Sequence, residues 1–103
     1  MGLQFEWDSR KAAANLRKHG VSFDEASTAF QDPLARIFDD EDHSQGERRE
    51  IIVGHSVTGR LLLVSFIERR DNVIRIISAR RTTARERDDY EENRRQTNRR
   101  PWG

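Results

Sequence analysis

A chain of 103 residues with 34% hydrophobic and 36% charged residues has room for one small core, and a second independent core is excluded by size. The formal net charge of +1 hides a division: −4 over residues 1–50, where 7 basic residues face 11 acidic ones, and +5 over residues 51–103, where 12 face 7. Cysteine is absent, which excludes disulfides and thiolate metal sites, and no apolar run approaches the ~18 residues of a membrane span.

The first element reads as a short strand, because Leu3, Phe5 and Trp7 alternate with polar neighbours. Asp8 or Ser9 can cap the helix that follows, and Gly20 can end it in the left-handed conformation. Ala12, Leu16 and His19 fall on one side of that helix. Ser22 and Glu25 have the spacing of a capping box, with Val21 and Ala26 placed as a hydrophobic staple. Phe23, Ala26 and Phe30 form the apolar stripe of this second helix, and Asp32-Pro33 stops it.

Leu34 to Asp39 reads as a strand, and residues 39–46 as an acidic loop. Three strands follow: Glu50–His55, Arg60–Glu68 and Val73–Arg80. Thr58-Gly59 and Asp71-Asn72 make the links short enough for hairpins, so these neighbours are antiparallel. Leu61 to Ile67 is apolar on both faces and belongs in the middle of the sheet. Thr83 and Glu86 form a second capping-box pattern, opening a helix to about Asn93 whose only apolar residues are Ala84 and Tyr90. Of the 23 Leu, Ile, Val and Phe residues, 14 lie between Ile51 and Ile77, so the core is concentrated there. The expectation is an α+β domain over residues 1–93, with an N-terminal strand and two helices, an antiparallel sheet of three to four main strands, and a C-terminal helix. Residues 94–103, with four Arg and no acid, are expected to be a basic, mobile tail. No signal-peptide pattern opens the chain, and a cytoplasmic location is expected.

The basic residues carry the functional signal. Seventeen of 19 are Arg, whose planar fork pairs with phosphate at two points and stacks on bases. An Arg-rich half therefore raises the expectation of RNA or another phosphate ligand, against the plainer reading of a salt-bridged surface. His19, His43 and His55 are scattered, and no metal-ligand spacing appears around Asp39–Asp42, so no metal and no cofactor are expected. No nucleophile elbow or phosphate-binding Gly loop is present. RNA cleavage without metal needs a base, cations for the pentacoordinate phosphate and an acid. Arg80 and Arg81 suit the cation role. Glu68 or His19 could be the base, and Tyr90 or a His the acid. Two objections stand beside this reading: strand alternation points Arg80 and Arg81 to opposite faces, and a straight strand puts Glu68 over ~20 Å from Arg80. Trp7 could stack on a base or simply belong to the core.

Phe5-Glu6-Trp7-Asp8, Lys11, Asn15, Lys18-His19-Gly20-Val21-Ser22-Phe23, Glu25-Ala26, Phe30 and Asp32-Pro33 resemble the opening of the BrnT toxin family. Arg75-Ile76-Ile77-Ser78-Ala79-Arg80, Glu86 and Tyr90-Glu91 resemble its close. The resemblance implies a RelE-like fold and a ribonuclease toxin of a bacterial type II toxin–antitoxin module that cleaves RNA and inhibits translation. It implies a BrnA-type antitoxin with a DNA-binding ribbon-helix-helix domain, two toxins sitting on an antitoxin dimer, and contact with DNA only through that antitoxin. Carried over by motif, the candidate catalytic residues are Glu68, Arg69, Arg80 and Arg81. Lys18, His19, Trp7 and Tyr90 are the candidate RNA-binding residues. Many family members carry Lys where this chain has Arg81, and Arg is a poor proton donor. The alternative is thus a catalytically weak or inactive homologue that serves as an antitoxin-binding corepressor module.

Overall fold

The computed structural model describes residues 2–40 and 46–92. The middle of the acidic loop, Asn93 and the 94–103 tail lie outside the described residues. The elements are β1 (Gln4–Glu6), α1 (Ser9–His19), α2 (Phe23–Thr28) continued by a 3-10 turn (Ala29–Gln31), β2 (Arg36–Asp39), β3 (Glu50–His55), β4 (Leu61–Arg70), β5 (Val73–Arg81) and α3 (Ala84–Glu92). The class is α+β, as expected. The sheet has five strands in the order β1-β5-β4-β3-β2, with the doubly apolar β4 at its centre.

The wholly antiparallel sheet needs correcting. β2 to β5 are antiparallel, but β1 lies parallel to β5, pairing Gln4 with Val73 and Glu6 with Arg75. Short loops dictate antiparallel neighbours, whereas β1 reaches β5 across the whole intervening chain, and nothing local fixes its direction. The hairpins form where the turn residues allow it. Gly59 and Asn72 both take positive φ, of 87° and 64°.

α1 and α2 cover one face of the sheet, the helix face. Val21, Phe23, Ala26, Phe30, Ile52, Leu62, Val64, Phe66, Ile74 and Ile76 form its core. Phe30 meets Phe5 and Phe66 edge-on, with ring centroids 5.2 and 5.0 Å apart. On α1 the expected stripe is shifted. Leu16 is 51% exposed, while Asn15 is buried. The Asn15 amide donates to the Ala79 and Val21 carbonyls and accepts from the Ala79 N–H. Ala79 lies past the residues that pair with β1, so its backbone groups need a partner, and the side-chain amide supplies both donor and acceptor.

Among the described residues, the second face carries only α3. Val53, Leu61 and Tyr90 form a buried apolar cluster there, with Ile51 and Leu63 half-buried beside them. No helix among the described residues is long and apolar enough to cross a membrane.

Candidate active site

Sheet register decides which candidates can work together. Arg80 is paired with Leu63, and Glu68 lies five residues further along β4. At ~3.4 Å per residue the two are about 17 Å apart along the strand. Arg69 is beside Glu68 and bonds the exposed Glu47 at 3.1 Å. The four catalytic candidates therefore divide between opposite ends of the sheet. Arg80 and Arg81 also divide between faces, because their cross-strand partners Leu63 and Leu62 do.

At the β5–α3 junction, Arg80 turns toward α3. Its guanidinium forks onto Glu86 with bonds of 2.9 and 2.8 Å, and donates a third to the Arg81 carbonyl. Glu86 sits there because the Thr83 capping box is complete: Glu86 N–H donates to the Thr83 hydroxyl, and Thr83 N–H donates to the Glu86 carboxylate. The bond from Arg80 is the main reason the Glu86 carboxyl is held down at about 2, and the Thr83 N–H adds to it. Among the described residues, Arg81 is exposed and forms no ion pair.

A groove of about 330 Å³ opens beside this pair, between α3 and strands β2 and β3. Phe38, Val53, Leu63, Glu86 and Tyr90 line it. Phe38 is 45% exposed, with the Arg36 guanidinium 5.6 Å from its ring centroid.

At the groove's inner end, Tyr90 is buried and donates its hydroxyl to Asp32 at 2.8 Å. With its ring covered, Tyr90 presents no face on which a base could stack. Asp32 lies just after the 3-10 turn, and its carboxylate also accepts from the backbone N–H groups of His55 (2.7 Å) and Leu34 (2.9 Å). His55 Nδ1 is 3.3 Å from that carboxylate and 3.3 Å from the Tyr90 hydroxyl. Burial alone would raise the Asp32 carboxyl, but these donors together hold it below its usual value.

The other RNA-binding candidates lie on the helix face. Trp7 packs its ring edge-on against Phe23, with centroids 5.9 Å apart. Exposed Lys18 and half-exposed His19 form the last turn of α1. The next carbonyl, Gly20, accepts from Arg60 at 3.1 Å, which ties this turn to the same end of the sheet as Arg81. Arg60 also pairs with Glu25, so the Ser22 box is only half made: Ser22 caps Glu25 N–H, while the Glu25 carboxylate turns to Arg60, Ser56 and Thr58.

In the sequence, His55 is one of three scattered histidines and Asp32 only a helix stop. The two hairpin registers carry the signal that joins them to Arg80, since they bring the ends of β3 and β5 to the same edge. Among the described residues, no three His, Asp or Glu side chains are grouped so as to hold a metal ion.

The fold and groove define a small α+β domain with an arginine-rich strand end, and the family it belongs to follows from its sequence. Residues 7–86 match the family model described as the ribonuclease toxin, BrnT, of type II toxin–antitoxin systems. The chain belongs to that family. Among solved structures it is similar to the 1.1 Å crystal structure of the Brucella abortus ribonuclease toxin BrnT, with 24% identity and a TM-score of 0.61 over 79% of this chain and 97% of that one. No curated protein matches the chain.

Proposed function

We propose that this chain cleaves RNA at the β5–α3 junction without a metal ion, and that the catalytic candidates Arg80 and Arg81 divide the work: Arg80 holds the phosphate there and Arg81 adds charge. The observation that carries the reading is the position of Arg80. It is 38% exposed, with its fork already presented to a planar oxyanion, the carboxylate of Glu86, which lines the open groove. A phosphodiester offers the same two-oxygen edge, so RNA competes with Glu86 for a guanidinium that is aimed in advance. Arg81 adds positive charge from the other face of the strand. Cleavage in the cytoplasm would inhibit translation. A BrnA-type ribbon-helix-helix antitoxin, carrying two toxins per dimer, would neutralise the activity and supply the only contact with DNA.

Purified protein should cut single-stranded RNA in excess chelator, and Arg80→Ala should slow it by ~100-fold or more, the scale of a lost transition-state cation contact. Chelator-sensitive cleavage would remove the metal-independent reading.

One observation favours the alternative of a non-catalytic corepressor: the Arg80 fork is satisfied internally by Glu86. Inducing the gene alone separates the two. Loss of colonies supports the nuclease, and normal growth at good expression supports the corepressor.

Glu68 and Arg69 stay in the proposal as a separate group at the far end of the sheet, where they would contact RNA away from the cleaved bond. Lys18 and His19 would guide the strand across the near end.

A further inference from the structure

The Asp32–His55–Tyr90 cluster is a group of titratable side chains that the phosphate-holding reading does not use. It is more than a strap between β3 and α3. Asp32 is 8% exposed in its side chain, whereas the His55 ring is 40% exposed. The inner member is fixed and the outer member meets solvent. The Asp32 carboxylate is an acceptor only, so the His55 nitrogen facing it, Nδ1, carries the proton. Nε2, across the ring, then holds the lone pair. Tyr90 braces the ring edge-on, with centroids 5.2 Å apart and planes at 75°.

Register places this ring beside the proposed phosphate site. His55 is opposite Leu61, and Arg80 is opposite Leu63 two residues along the same face. Two strand spacings of ~4.8 Å and two residues of ~3.4 Å put the Cα atoms about 12 Å apart. Both side chains reach α3, Arg80 at Glu86 and His55 at Tyr90, and these two α3 residues line the groove in which a ribose and its phosphate would lie. Glu86 and Tyr90, one helical turn apart on α3, hold the two ends of that span.

We infer that His55 is the base of the cleavage, oriented by Asp32 and Tyr90, and that the substrate is RNA with a ribose 2′-hydroxyl next to the scissile phosphate. The inference rests on the proposed nuclease reading. In the step, the 2′-oxygen bonds to phosphorus while the bond from phosphorus to the 5′-oxygen breaks. The 2′-hydroxyl proton goes to His55 Nε2, and the departing 5′-oxygen takes a proton from water. His55 then releases its proton to the hydroxide so formed. The products are a 2′,3′-cyclic phosphate and a 5′-hydroxyl. Asp32 and Tyr90 touch no reacting atom and are positioning residues. Of the groups packed against the ring, Asp32 is the ionised one. Leu61 opposite is apolar, and Tyr90 donates its hydroxyl to Asp32.

The test uses the full chain and a single-stranded RNA with a 2′-deoxy control. His55→Ala should cut ~100-fold or more slowly, the usual contribution of a general base. It should bind RNA within about twofold of wild type, a change the phosphate contacts do not predict. Added imidazole should restore part of the rate, and the wild-type rise of kcat/KM with pH should be missing from the variant. Asp32→Asn should keep that rise but lower kcat, with KM little changed. Cleavage by His55→Ala at the wild-type rate and pH profile overturns the inference and leaves the nuclease reading standing. A loss of rate that follows loss of the folded circular dichroism signal, without imidazole rescue, also overturns it. A folded wild-type protein that cuts no RNA overturns both.

Discussion

The two faces of the sheet are unequally covered. The helix face meets α1, α2 and the 3-10 turn, and buries a continuous aromatic and aliphatic core. Among the described residues, the other face meets only α3, and its smaller core cluster is Val53, Leu61 and Tyr90. The difference has a chemical consequence. Where apolar cover is complete, the polar groups that remain inside are structural, as with Asn15 clamping Ala79. Where cover is thin, an Arg–Glu fork and a His–Asp–Tyr cluster sit at the border of a groove with their outer atoms in reach of solvent. Stability resides mainly on one face, which leaves the other to hold charge.

The contrast is broken most directly by truncation. Phe66→Ala removes a fully buried ring from the helix-face core and should destabilise the fold by ~3–5 kcal/mol. Leu63→Ala, on the half-buried floor of the groove, should cost less than half as much. Urea unfolding of both variants checks this. Equal losses would mean that the groove face carries as much of the core as the helix face. Asn15→Ala comes next, at about 2–3 kcal/mol, because it leaves the Ala79 N–H and C=O without their partner in a buried site. Faster amide exchange at Ala79 would show that the loss is local.

Much of this division was legible in the sequence. The 14 apolar residues between Ile51 and Ile77, the two hairpin turns and both Ser/Thr–Glu spacings place the strands and helix starts almost to the residue. Three features were not. β1 pairs with β5 across some 70 residues of chain, and no local signal states its direction. Asn15 displaces Leu16 from the buried side of α1, because an unpaired strand edge needs an amide more than the core needs another Leu. Gly54 reads as an ordinary strand residue, yet a Cβ there would lie 2.8 Å from the Ala29 carbonyl, so the 3-10 turn packs on β3 only because that side chain is missing. For the site, the arginines stood out by number. The Asp32–His55 pair was hidden because its members are 23 residues apart and meet only after β3 docks under the 3-10 turn.

Acid sharpens the comparison, because each face has one carboxylate held at about 2: Glu25, mainly by its bond from Arg60, and Glu86, mainly by its bond from Arg80. Both values lie below the ordinary 4.5, so folding favours the ionised form. The stability they supply is complete above about pH 4.5 and is lost as the pH falls toward 2. Glu25 is the better buried, at 12% exposed against 29% for Glu86. Glu25→Gln should therefore remove more of the drop between pH 5 and pH 3, on the order of 2 kcal/mol, than Glu86→Gln does. Urea midpoints at the two pH values measure it. A larger effect from Glu86 would make the groove-face ion pair the stronger lock.

The smallest effect tests whether the sheet's far end matters at all. Arg69 and Glu47 are 38% and 54% exposed, so Arg69→Ala should change stability by about 0.5 kcal/mol or less. On RNA it should act as a distant phosphate contact does, weakening binding and flattening its salt dependence by about one unit of slope while sparing the rate at saturation. Arg80→Ala should do the reverse, lowering the saturated rate most. Fluorescence anisotropy at several salt concentrations, set beside single-turnover cleavage, distinguishes the two behaviours. If Arg69→Ala lowered the saturated rate as far as Arg80→Ala, the reacting phosphate would have to be reached from both ends of β4. Arg80 pairs with Leu63, six residues from Arg69, so about 20 Å of strand lies between them, and that result would require a second copy of the chain or a bound partner to complete one site.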